Sequence, residues 1–137
     1  MTDETPPYTA HVRHRVQVSP HVVRVTLGGI RARADAPSFV STGRADEFFG
    51  LWVPVPGGEP AKRYYTVRAW RPAAGEIDVD LLLHGPGAAS SWADRASVGD
   101  VVAFDAPRGH YAPPAAARWV ALCGDATALP AVGRILD

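Results

Sequence analysis

Punctuation constrains this chain more than any other feature. Turn-forming clusters recur along it: Ser19-Pro20, Gly28-Gly29, Pro56-Gly57-Gly58, Pro72 to Gly75, Gly85-Pro86-Gly87, Gly99-Asp100 and Pro107-Arg108-Gly109. Glycine reaches φ angles that other residues avoid. Proline fixes φ and removes a backbone donor, so each cluster is expected to end a regular element. The intervals between clusters are short and carry many β-branched and aromatic residues, which favours strands over long helices. The spacing predicts strands over Tyr8 to Val18, His21 to Leu27, Phe48 to Val55, residues 62–70, Glu76 to His84, and Val101 to Ala106.

Alternation gives the strands their faces. Val23, Val25 and Leu27 fall on one side of the second strand, with Val22, Arg24 and Thr26 on the other. In the fifth, Ile77, Val79, Leu81 and Leu83 point inward, while Glu76, Asp78 and Asp80 point outward. Gly28-Gly29 should end the second strand. Residues 30–46 show no period and read as a loop with at most a short turn of helix. Phe48 to Val55 and residues 62–70 pair as a hairpin across Pro56-Gly57-Gly58. Ala88 to Ala96 is helix-forming, with Ala88, Trp92 and Arg95 on one side at helical spacing.

Residues 110–117 form a Pro/Ala linker. Beyond it, Arg118 to Cys123 reads as a short buried strand and Gly124-Asp125-Ala126 as a turn. Thr127 to Leu136 reads as a helix, with Thr127 as N-cap and Pro130 in the first turn. The expected fold is all-β dominated: a six-stranded antiparallel Greek-key β-barrel with one helix, plus the first βα unit of a truncated α/β domain. The expected division is a disordered lead-in over 1–7, the barrel domain over 8–112, and a linker with the opening strand–helix unit over 113–137.

Bulk properties narrow the partners. At 137 residues the chain is the size of one domain and can bury a core without staples. Fourteen Lys and Arg balance fourteen Asp and Glu, so no net field draws in nucleic acid or an anionic membrane. One cysteine, Cys123, makes neither an internal disulfide nor a cysteine-based zinc site, which fits a cytoplasmic protein. No apolar run approaches the roughly 18 residues of a membrane span. His11, His14, His21, His84 and His110 have no metal-ligand spacing, and no metal site is expected.

Lys62-Arg63-Tyr64-Tyr65-Thr66-Val67-Arg68 carries three cations and no acid. On a strand, Arg63 and Tyr65 share a face, a cation beside a flat ring. That suits a ligand with a phosphate at one end and a planar ring at the other, with Thr66 offering a hydroxyl beside them. It also suits an edge strand with a solvated arginine. Gly87-Ala88-Ala89-Ser90-Ser91 is a run of small residues opening a helix, either an ordinary helix start or an anion site. Gly124 to Pro130 is a second strand-to-helix turn without the glycines of a dinucleotide fingerprint. His84, ending an alternating strand, reads either as a ligand contact or as a surface residue. No nucleophile motif is present.

In this order and spacing the pieces resemble the siderophore-interacting, FAD-dependent ferric-siderophore reductases of the ferredoxin-reductase-like superfamily. Arg63 to Arg68 is similar to the Arg-x-Tyr-Thr flavin signature. Asp78-Val79-Asp80-Leu81-Leu82-Leu83-His84-Gly85 is similar to an acidic, apolar strand ending in His-Gly. Gly87 to Ala93 resembles Gly-Pro-Ala-Ser-x-Trp-Ala, with Ala88 in place of proline. Gly124 to Leu136 resembles Gly-Asp-Glu-Thr-Ala-Leu-Pro-Ala-Ile-x-Arg-Ile-Leu, with Ala126 in place of glutamate. Phe48 and Gly50 stand where the family usually has His and Lys.

The resemblance implies an FAD seat. Arg63 would pair the pyrophosphate, Tyr65 would stack on the isoalloxazine, and Thr66 would hydrogen-bond near its reactive edge, with Tyr64 between them. Asp80, Leu82 and His84 would run beside the flavin and ribityl chain. Gly87, Ala88, Ala89 and Ser90 would cap the pyrophosphate, and Thr127 would approach from the second domain. It further implies NADPH or NADH as reductant, bound mostly outside these residues, and a ferric siderophore as substrate. The alternatives are a flavin reductase or electron-transfer flavoprotein with another acceptor, and a non-catalytic β-barrel binding module.

Overall fold

The computed structural model describes residues 5–137. Seven strands form a single antiparallel sheet: β1 (Tyr8–Ser19), β2 (Val22–Ala32), β3 (Phe48–Val53), β4 (Ala61–Thr66), β5 (Ala69–Arg71), β6 (Glu76–Leu82) and β7 (Val101–Phe104). Their order is β4-β3-β7-β1-β2-β6-β5. Helix α1 (Ala88–Arg95) lies between β6 and β7. A 3₁₀ turn (Ala126–Ala128) leads into α2 (Leu129–Leu136).

The sheet's two edge strands, β4 and β5, are consecutive in the chain. The predicted strand over 62–70 is therefore two strands, because the backbone changes partner at Val67–Arg68. The Val67 amide donates to the Glu47 carbonyl beside β3 (2.8 Å), and the Arg68 amide donates to the Asp78 carbonyl on β6 (2.8 Å). That junction joins both edges and curls the sheet into a Greek-key barrel. Seven strands replace the expected six for this reason.

Alternation fills the interior. Val23, Val25, Leu27, Ile77, Val79 and Leu81 are all fully buried, as their period requires, together with Val12, Phe49, Leu51, Val53, Val67 and Phe104. One end of the core is covered by Ala89, Trp92, Ala93 and Ala96 of α1 and the residue after it. The buried stripe of α1 is thus centred on Ala89, Trp92, Ala93 and Ala96; Arg95 is exposed, not on the stripe with Trp92. The other end is plugged by Phe39 from the unpatterned loop. Phe39 packs edge-on against Tyr8 (5.5 Å between ring centroids) and Trp70 (5.1 Å). That loop contains no helix.

Three expectations about the elements and their faces change. Gly28-Gly29 does not stop β2. The register between β1 and β2 shifts here, and Gly29 has φ +62°, so the glycines form a β-bulge and the strand runs on to Ala32. Arg13 and Val18 are extra residues on β1 at two further shifts. Asp78, expected outside, is buried: it accepts from Thr26 Oγ1 (2.7 Å) and from Arg71. Arg118 to Cys123 is not a strand but irregular backbone with no strand partner, and Trp119 on it is 80 % exposed. A strand needs a neighbour for its amides and carbonyls to form a ladder, and no described strand lies beside this segment.

The Asp125 carboxylate caps the 3₁₀ turn, and neither it nor Thr127 caps α2, whose N-terminus at Ala128 has no side-chain cap bond. The carboxylate accepts from the Thr127 amide at 2.9 Å, while Pro130 sits in the first turn of α2 as expected. The expected lead-in over 1–7 lies partly outside the described residues. Within them, the Pro7 carbonyl accepts from the Arg33 amide (2.8 Å), so this part is tied to the end of β2.

Candidate functional site

A cleft of about 550 Å³ opens where the barrel wall is unzipped. The cause is in the pairing. β5 pairs with β6 only from Glu76 to Asp78, and β4 pairs only with β3. The edge of β6 from Val79 to Leu82 therefore has no ladder partner on the side facing β4. The two strands diverge from the Val67–Arg68 junction and leave a gap between them.

The floor of the cleft is the outer face of the β2–β6 ladder, where Val22 opposes Leu82 and Arg24 opposes Asp80. Arg24 donates to both oxygens of Asp80, at 2.6 and 2.8 Å, and this bidentate bond raises the guanidinium's pKa. One wall is Arg63, Tyr64, Tyr65 and Thr66 of β4, with Arg68 at the junction. The opposite wall is Ala126, Thr127, Leu129, Pro130 and Gly133. Val18 and Ser19, at the β1–β2 turn, close one end; the bulge at Val18 re-aims that side chain from the strand pattern. His84 stands just past the end of β6.

The electrostatics follow from a count of the lining. Arg24, Arg63 and Arg68 supply three guanidinium groups against the single carboxylate of Asp80. Asp137, outside the lining, pairs with Arg68. Arg63 is exposed and, among the described residues, its only hydrogen bond is to the Lys62 carbonyl (2.7 Å), so its guanidinium keeps most of its donors. Tyr65 is half-buried against the core. Burial holds its phenol above the ordinary pKa, with the Arg63 charge opposing, so the ring stays neutral. Guanidinium groups, a neutral aromatic ring and the apolar side chains of Val18, Val22 and Leu82 lie in one cleft of ligand-binding size (about 300–1,000 Å³).

Of the residues singled out in the sequence, Arg63, Tyr64, Tyr65, Thr66, Asp80, Leu82, His84 and Thr127 line this cleft. Gly87, Ala88, Ala89 and Ser90 do not. Ser90 is buried, and its hydroxyl donates to the Leu82 carbonyl (3.3 Å) and accepts from the His84 amide (3.5 Å). Its side chain is therefore committed to the end of β6, and it braces two cleft-lining residues. Tyr64 faces partly away: it is 59 % exposed, its ring lies edge-on to Phe48 (6.1 Å), and the Arg108 guanidinium stands 5.6 Å from its centre.

Sequence reading missed Arg24, Arg68 and the residues that hold the second wall. Arg24 was visible as the one cation on an outer face that opposes another outer face carrying Asp80. The wall is fixed by Arg134 of α2. It donates to the Glu47 carboxylate (2.7 Å), to the Val67 carbonyl (2.7 Å) and to the Arg44 carbonyl (3.2 Å). Glu47 is fully buried and also accepts from the hydroxyls of Ser41 (2.8 Å) and Thr42 (3.0 Å). No local pattern announces a pair 87 residues apart.

Comparison with known proteins agrees with this geometry. The chain is 36 % identical to an uncharacterized protein of Mycobacterium tuberculosis across 88 % of its own length and 49 % of that protein's. It is 35 % identical to the ferric vibriobactin reductase ViuB of Vibrio cholerae, over 60 % of this chain and 31 % of the reductase. A solved siderophore-interacting protein of Acinetobacter baumannii superposes with a TM-score of 0.75 at 26 % identity, covering 94 % of this chain and 52 % of that one. The chain thus spans about half the length of the mycobacterial relative. No helix among the described residues is long and apolar enough to cross a membrane. Residues 36–111, which hold the whole β4 wall and the β6 floor, match the siderophore-interacting FAD-binding domain, and the chain belongs to that family.

Proposed function

We propose that this chain is the FAD-seating part of a cytoplasmic, nicotinamide-dependent ferric-siderophore reductase. The observation that carries this reading is the unzipped barrel wall, where three guanidiniums, one neutral phenol ring and a free strand edge meet in one cleft. Arg63 uses its free donors on the pyrophosphate, in charge-assisted bonds. Tyr65 would offer its face to the isoalloxazine, and the Thr66 hydroxyl would hydrogen-bond near the ring's reactive edge. Arg24 holds Asp80 in one rotamer, so that the carboxylate presents a fixed edge beside the ribityl chain with Leu82 and His84. Gly87, Ala88 and Ala89 open α1 with free backbone amides next to His84, and the dipole there favours the phosphate end. Thr127 approaches from the opposite wall.

FAD held there would supply the redox chemistry, accepting an electron pair from NADPH or NADH and passing electrons singly to iron(III). The protein's task is to hold the ring, exclude water from one face and leave the other edge open to the ferric siderophore. Reduction releases the metal because hard oxygen ligands hold iron(II) less tightly than iron(III). In this reading residues 113–137 are the linker and opening strand–helix unit of a nicotinamide-binding domain. The unpaired segment from Arg118 to Cys123 with its exposed Trp119, and the half-length coverage of relatives, support that assignment.

The test is reconstitution. The chain is titrated with FAD by quenching of flavin fluorescence. The complex is then reduced chemically and mixed with ferric siderophores or with unrelated electron acceptors. Saturable FAD binding, faster reoxidation by a ferric siderophore than by the other acceptors, and little direct reduction by NADPH or NADH are expected. Failure to retain any flavin sinks the proposal, and indifference to the acceptor restricts it to a general flavin reductase.

A further inference from the structure

The flavin reading uses α2 only as a wall, yet the helix is bonded to the most particular point of the barrel. The Val67–Arg68 junction is where the backbone leaves β3 and joins β6, and its position sets how far β4 stands from β6. Two arginines cross there in opposite directions. Arg134 of α2 reaches the Val67 carbonyl (2.7 Å) and the buried Glu47 carboxylate (2.7 Å). Arg68 of the junction reaches back to Asp137 at the end of α2. Gly133 makes the approach possible, since a Cβ at that position would stand 3.0 Å from Arg68 Nε. Glu47 completes the arrangement, because its carbonyl accepts the Val67 amide while its carboxylate accepts Arg134.

Arg134 is only 14 % exposed and Glu47 not at all. A charge pair this buried needs all its hydrogen-bond partners to repay desolvation, and it does not tolerate a displaced geometry. Each of the three guanidinium nitrogens of Arg134 makes a hydrogen bond, as do both oxygens of Glu47. The pair therefore acts as a latch with one closed state.

We propose that Arg134 and Glu47 are positioning residues that fix the Val67–Arg68 junction, and so set the spacing of the β4 wall from the β6 floor in the flavin cleft. The proposal rests on the flavin reading for its consequence but not for its existence. Any segment that withdraws α2 opens the cleft, and any ligand that fills the cleft tightens α2, by the same free energy in both directions.

Two measurements on the full chain test it separately. Hydrogen exchange of the ligand-free protein reads the latch itself. Arg134→Met should raise the exchange rates of the Val67 and Arg68 amides at least tenfold, while the Val23 and Val25 amides of the core stay protected. Arg134→Lys, which can keep the Glu47 contact but cannot also span to Val67, should deprotect Val67 and Arg68 without unfolding the chain. FAD titration with visible circular dichroism of the bound flavin reads the consequence. Both variants should bind at least about tenfold more weakly and show a changed flavin band. Unchanged exchange at Val67 and Arg68 in both variants overturns the latch, whether or not the chain binds FAD. Raised exchange with unaltered affinity and an unaltered band overturns the positioning role. If the wild-type chain binds no FAD, the flavin reading fails while local deprotection at the junction still upholds the latch.

Discussion

At the residue scale, each functional expectation rests on what a side chain has left to give. Among the described residues Arg63 donates only to the neighbouring Lys62 carbonyl, so its fork remains available. Arg63→Ala is expected to weaken FAD binding by about 2–3 kcal/mol, the range of charge-assisted hydrogen bonds, in a fluorescence titration. Unchanged affinity would remove Arg63 from the pyrophosphate. Asp78 is the opposite case, with its bonds spent on structure. Burial alone would raise its pKa, but bonds from Arg71 and Thr26 outweigh that and hold the carboxyl below the ordinary value. A depressed folded pKa contributes stability that is present above the unfolded value near about pH 4 and is lost as pH falls through the folded one. Urea midpoints should therefore hold steady down to about pH 5 and then decline. Asp78→Asn should cost about 2 kcal/mol at neutral pH and show a shallower acid decline.

Gly50 shows how a departure from the family pattern is absorbed at this scale. Its space is filled from across the strand pair: Lys62 and Asp105 side chains lie where a Cβ would go, and the Gly50 amide donates to Asp105 Oδ1 (2.6 Å). Lys62 in turn pairs with Asp105 at 3.1 Å and lies over the Trp52 ring. A cation therefore occupies this outer face, although position 50 itself provides none.

At the scale of elements, irregularities position the site. The bulge at Gly28-Gly29 lets the Arg13 side chain lie flat across the backbone, and Gly29 sits in the left-handed region. Gly29→Ala should cost about 1–2 kcal/mol from the φ alone, read as a lowered urea midpoint, and displace Arg13 further. These irregularities explain why elements were legible in unequal measure. The six stretches predicted as strands all contain strand, and the interior residues of β2 and β6 followed from alternation, because that signal is local and repeats every second residue. The break at Val67–Arg68 left no mark, since both residues suit a strand and only the change of partner separates β4 from β5. Gly28-Gly29 carried the right signal with the wrong meaning: a pair of glycines permits either a stop or a bulge, and the partner strand decides.

At the scale of the whole molecule, the barrel and its C-terminal cover separate energetically. Among the described residues the apolar core ends at Phe104, while α2 is joined to the barrel through polar contacts of Arg134, Arg68 and Asp137. Removing residues 118–137 should leave a cooperative urea transition with a lower midpoint, and flavin affinity should fall more than that of any cleft-floor variant that keeps α2. Loss of the cooperative transition would mean that the last helix is part of the core after all. The candidate site divides along the same line. Arg63, Tyr65, Thr66 and His84 stood out from the sequence because each lies in a short stretch with an unusual pattern, and Asp80 through the resemblance of its strand to the family's. Arg24, Arg68, Glu47 and Arg134 act through partners far along the chain.

The sequence by itself determined the strand intervals, the inward faces and a seven-residue stretch whose cations lacked acids, because these are local properties of composition and period. Only the tertiary structure decided that this stretch breaks at Val67–Arg68, that the break unzips the barrel wall into a cleft, and that a distant helix holds the break in place. Closure of a sheet is a relation between its two ends, and no window of residues contains both.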